Sequence, residues 1–159
     1  MSEVQSAEGR GWLRASSMGV VVAVLTAAVM VTLLKVGLSP FPKPPSLKFA
    51  EIVLGRPLPL PVGLLFHLSY VTFWSIAFVR YFRHRSLATA LALAGALWIG
   101  ILVVFFPMFG WGFAGLAVSP KLIPASLLPH LLFGLLLWGF NRYLPGGTAA
   151  RLAPGEESA

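Results

Sequence analysis

The segment Val62–Phe82 reads VGLLFHLSYVTFWSIAFVRYF, and it decides the fold. It is an apolar stretch about as long as the ~20 helical residues needed to cross a bilayer core. Its one full charge, Arg80, stands at its end. The opening returns later in the chain: Leu64-Leu65-Phe66-His67-Leu68 is matched by Leu127-Leu128-Pro129-His130-Leu131. Both stretches continue through a tryptophan (Trp74, Trp138) and finish on Arg-Tyr (Arg80-Tyr81, Arg142-Tyr143). A histidine inside a membrane-spanning segment is costly and needs a reason. Two in matched positions suggest one shared reason.

Outward from this segment the same character persists. The chain is 57% hydrophobic and 11% charged over 159 residues, less than half of the roughly 25% charge content of soluble domains. Four segments are long enough to span: Ser17–Leu38, Val62–Phe82, Leu87–Pro107 and Leu122–Tyr143. The first is too long and lacks the small-residue cleavage site of a signal peptide. These features predict an all-α integral membrane four-helix bundle over residues 15–144, between a tail at 1–14 and a flexible tail at 145–159. The net charge of +7 sits beside the apolar runs, which points to anionic lipid head groups and away from nucleic acid. The absence of cysteine excludes disulfides and thiolate chemistry.

With four spans, both termini and the second-to-third connection share a side. That side holds Arg10, Arg14, Arg80, Arg83, Arg85, Arg142 and Arg151, against Lys35, Lys43, Lys48, Arg56 and Lys121 opposite. The basic inner turn Arg80, Arg83 and Arg85 is decisive, because the positive-inside rule acts through short loops. The termini are therefore expected in the cytoplasm. On the far side, Ser46–Leu54 reads as a short interfacial helix capped by Ser46, with Lys48 and Glu51 on one face. The loop Pro107–Pro120 carries Phe109-Gly110-Trp111-Gly112-Phe113. It reads as an anchor at head-group level, with a lid over a cleft as the alternative.

Small residues recur every four positions in the first span (Gly19, Ala23, Ala27) and the third (Ala88, Ala92, Ala96, Gly100). Such stripes let helices approach closely in lipid. Together with the paired histidine openings they suggest two tandem two-helix repeats, about 15–82 and 87–144. In that arrangement the first and third spans form a tight centre.

The small-residue run Gly19–Met30, Ala50-Glu51 in a proline-rich loop, Gly63 before His67, Pro107-Met108 before a glycine-rich loop, and His130 with Gly134 carry a resemblance. Over roughly Met18–Tyr143 the chain resembles the YagU-like and YqhR-like small bacterial inner-membrane proteins. The resemblance implies a four-helix protein of the bacterial inner membrane with no assigned reaction and no catalytic residue to transfer. Tyr70-Val71-Thr72 stands where the family pattern leads one to expect a glycine.

Three readings of His67 and His130 follow. In the first they hydrogen-bond between helices, to Ser69, Thr72, Ser126 or the carbonyl of Ala125 freed by Pro129. In the second they line a path for a small molecule or proton. In the third they ligate haem b or a metal through imidazole nitrogen. Glu51 is the one acid near a span, so a His67–His130–Glu51 cluster is the only catalytic constellation available, and an enzyme is not expected. The role expected from the sequence is structural or accessory, beside a membrane-protein partner or a second copy, with no cofactor.

Overall fold

The computed structural model describes residues 2–143, which contain helices and no strand. Helix α1 is Ser2–Lys35, α2 Pro45–Leu54, α3 Leu60–Tyr81, α4 Leu87–Gly100, α5 Phe106–Met108 and α6 Leu122–Tyr143. A π-helical stretch, Ile101–Phe105, joins α4 to α5 without a break. Four segments, Gly11–Lys35, Leu60–Tyr81, Leu87–Met108 and Leu122–Tyr143, are long and apolar enough to cross a membrane. This is the architecture of a multi-pass membrane protein. In hydrocarbon a helix satisfies its own backbone, which explains why such apolar sequence forms nothing else. Large apolar side chains such as Leu65, Phe73, Val104 and Leu135 face outward, as a lipid solvent requires.

Helix α1 begins at Ser2, ahead of its spanning segment Gly11–Lys35. The expected C-terminal tail, 145–159, lies outside the described residues. At one end of the bundle, the arginine end, the Arg80 guanidinium lies over the Trp12 ring at 4.6 Å, and Arg85 donates to the Val79 carbonyl. The short turn between α3 and α4 is thereby fastened to α3, and the end of α3 to α1.

At the opposite, loop end, α2 begins with Pro45 at its first position and has no side-chain cap. The expected Ser46 cap is therefore absent, and proline at the first position removes one of the helix's orphan N–H groups. Gly55 closes the helix in the left-handed conformation (φ 66°). Glu51 pairs with Lys43 at 2.8 Å, not with Lys48, and accepts the Leu58 N–H at 3.2 Å. The carboxylate thus ties together the two proline-bearing strands of chain that flank α2. Hydrogen bonding from Lys43, then from Leu58, holds the Glu51 carboxyl below its ordinary value of 4.5. A carboxyl lowered by folding contributes stability above its unfolded value and loses it as pH falls through the folded one. Glu51→Gln should therefore speed amide exchange in α2 near neutral pH. Well below pH 4.5 the difference from the parent should vanish. A difference that persists there would show that the pair does not hold the loop.

Packing within the bundle also departs from expectation. α1 packs most heavily on α3, α4 on α6, and α1 crosses to α6, while α1 and α4 meet marginally at most. The close crossings explain why. A Cβ on Gly19 would lie 2.9 Å from Thr72 Cα, and one on Gly134 would lie 3.0 Å from Ala94 Cβ. Gly19 therefore seats α1 on α3, and Gly134 seats α6 on α4. The stripe Ala88, Ala92 and Ala96 is exposed, and Gly100 has nothing near it. α4 instead turns Ala90 and Ala94 inward. The expected centre of first and third spans is thus replaced by α1 and α6, with α3 and α4 outside them. A two-fold axis would pair the α1–α6 contact with one between α4 and α3, which is marginal at most. The packing does not reproduce the symmetry expected of two repeats.

Candidate functional site

The buried core comes in two parts. Toward the arginine end, Met18, Val22, Phe78, Leu93, Phe133 and Leu137 join all four spanning helices. Toward the loop end, Phe41, Phe106, Phe109, Trp111 and Leu122 form a second cluster. The loop aromatics Phe109 and Trp111, 5.1 Å apart, are buried rather than spread at a head-group level; of the three expected anchors only Phe113 is exposed. A cavity of about 250 Å³ lies between the two packed regions. It is lined chiefly by α1, α2, α3, α6 and the π-helical stretch, with Leu97 of α4, beside the place where α3 and α4 barely touch.

His67 and His130 both line this cavity. Glu51 does not, because Lys43 and Leu58 hold its carboxylate. The expected three-residue cluster is therefore reduced to two histidines on one cavity. Among the described residues no three His, Cys, Asp or Glu side chains are placed to share one metal ion. The walls are overwhelmingly apolar. Among the described lining residues there is no Lys, Arg, Asp or Glu.

Each histidine has one fixed nitrogen. His130 Nδ1 lies 2.7 Å from the Ser126 carbonyl, one turn back on its own helix. A carbonyl only accepts, so Nδ1 carries the hydrogen. Ser126 is one of the partners the sequence suggested; it accepts through its own carbonyl, and the carbonyl of Ala125 freed by Pro129 is not the one used. His67 Nε2 lies 3.0 Å from Thr26 Oγ1 on α1. Thr26 has one hydroxyl hydrogen and two carbonyls of its own helix in reach, Val22 at 2.9 Å and Ala23 at 3.1 Å. With that hydrogen on a carbonyl one turn back, the usual back-bond of a helical threonine, Thr26 accepts from His67 and Nε2 donates. Of the partners the sequence suggested for His67, Ser69 donates to Leu65 and Thr72 Oγ1 has no partner. Thr26, 1% exposed, is the residue sequence reasoning missed. It sits inside an alanine-rich run, where a threonine bonded to its own helix looks unremarkable.

In a neutral imidazole one nitrogen carries hydrogen and the other is a bare acceptor. The fixed partners assign the bare positions as His67 Nδ1 and His130 Nε2. Neither is among the side-chain atoms sealed from contact without a partner, and both residues line the cavity. Ser126, also on the wall, has its hydroxyl already used. Ser126 Oγ accepts from Trp98 Nε1 at 3.1 Å and donates to the Ile123 carbonyl at 2.9 Å. The π-helical stretch contributes Ile101 and Phe105 to the wall. Its Phe106 N–H reaches back five residues to Ile101, just ahead of Pro107, which has no N–H to continue the normal ladder. Such a bulge re-aims side chains where a site needs them.

Compared with known protein families, curated proteins and solved structures, the chain matches none.

Proposed function

We infer that the protein holds a small, mostly apolar molecule of the membrane in the cavity between the two packed regions. One observation carries this reading: the cavity interrupts the core where both intramembrane histidines stand. A pocket with apolar walls and a few convergent polar groups is the form that small-molecule sites take. We take the slight contact between α3 and α4 as the route of access from the lipid side. The packed cluster toward the arginine end closes the other direction, which favours holding or delivering a molecule over conducting one.

Arginines crowd one end of the bundle, so the positive-inside rule places that end and both termini in the cytoplasm. The cavity then opens in the outer half of a bacterial cytoplasmic membrane, and the protein acts as an accessory component presenting its ligand there.

The test is photolabelling in lipid vesicles with a diazirine-bearing alkylbenzene. Adducts should concentrate on cavity residues such as Leu64, Tyr70 and Leu97, and unlabelled alkylbenzene should compete them away. Adducts spread over outward residues such as Leu65 and Phe73, without saturation, would contradict a specific site.

A further inference from the structure

We propose that the ligand is a lipophilic phenol or quinol, whose O–H groups donate to His67 Nδ1 and His130 Nε2. This rests on the cavity being a binding site and adds the chemistry of what it selects. The hydrogen-bond directions are set by the protein before any ligand arrives. With its own hydrogen back-bonded to the Val22 or Ala23 carbonyl, Thr26 accepts from His67. The Ser126 carbonyl can only accept from His130. Both remaining ring nitrogens are therefore acceptors, and two acceptors call for a donor.

The rest of the wall narrows the class. Without a Lys, Arg, Asp or Glu along it, a phosphate, carboxylate or ammonium head would enter an apolar space with no counter-charge, which is heavily penalised. A neutral donor pays far less. The aromatic side chains of Phe49, Phe66, Phe105, Tyr70 and Trp74 line the same space, and such rings pack well against another ring in edge-to-face or offset contact. A hydroxylated ring meets both requirements, whereas an aliphatic alcohol meets only the first. An oxidised quinone carries acceptors alone and would set them against bare imidazole nitrogens.

The experiment is competition against the photolabel, under anaerobic conditions, by three matched compounds: an alkyl hydroquinone, its dimethyl ether and the corresponding quinone. The hydroquinone should compete at a concentration about tenfold lower than the other two, the size of one net hydrogen bond. His67→Leu and His130→Leu should each shrink that preference. Equal competition by all three, or a preference for the quinone, overturns the proposal while leaving the cavity as a site. Failure of all three to compete removes the cavity reading as well. The wild-type comparison decides the matter even where a variant folds poorly.

Discussion

Gly63→Val should detach α2 from the bundle and lower the thermal midpoint in detergent more than any other single glycine replacement described here. A Cβ at this position would stand 2.6 Å from Leu47 Cβ and 2.7 Å from Leu47 Cα. The second of these is backbone, so no side-chain rotation relieves the clash. Leu47 and Ala50 are the buried face of α2, and they rest on α3 where Gly63 makes room. Overpacking of this kind costs about 1–3 kcal/mol, and Gly63→Ala already introduces most of it. The contrast lies in α4. Gly95 and Gly100 have nothing within 4 Å of an added Cβ. Gly95→Ala should be neutral or should stabilise, since alanine is favoured over glycine in a helix by about 1 kcal/mol. Unfolding that treats all three positions alike would mean α2 is not seated on α3 through this contact.

Ala27→Trp should abolish saturable photolabelling, by more than about tenfold in apparent affinity, while leaving the bundle folded. Ala27 belongs to the small-residue series of the first span, and its spacing suggests a helix-packing role. In the fold it is half-buried and lines the cavity, whereas Gly19 and Ala23 of the same series are buried. An indole there enters open space of about 250 Å³ and takes the volume a ligand needs. If Ala27 instead packed against another helix, the same substitution would lower the thermal midpoint. Loss of labelling with an unchanged midpoint distinguishes the cavity from a helix contact.

Hydropathy and length alone were enough to read four spanning helices, because the hydrocarbon thickness fixes how much apolar sequence a helix needs. The spans of α3 and α6 fall within two residues of those read from sequence. The histidines were legible for the same kind of reason, since an imidazole in a span is conspicuous. What surrounds them was not. Periodicity says which residues share a face but not which helix that face meets, so Ala88, Ala92 and Ala96 looked like a contact and are exposed. Gly134 marks the true approach of α6 to α4, yet one glycine has no period to reveal it. Glu51 looked paired with Lys48 by helical spacing, while the fold brings Lys43 back across a proline-rich turn. Thr26 was silent because its importance lies in having already donated its hydrogen to its own helix.

Everything functional here depends on the two imidazoles holding opposite tautomers, each with an empty lone pair toward one cavity. Nitrogen NMR of isotope-labelled histidine in lipid bilayers reads this directly. It should find His67 protonated at Nε2 and bare at Nδ1, and His130 protonated at Nδ1 and bare at Nε2. The same tautomer on both rings, or bare nitrogens already bonded within the ligand-free protein, would contradict the account.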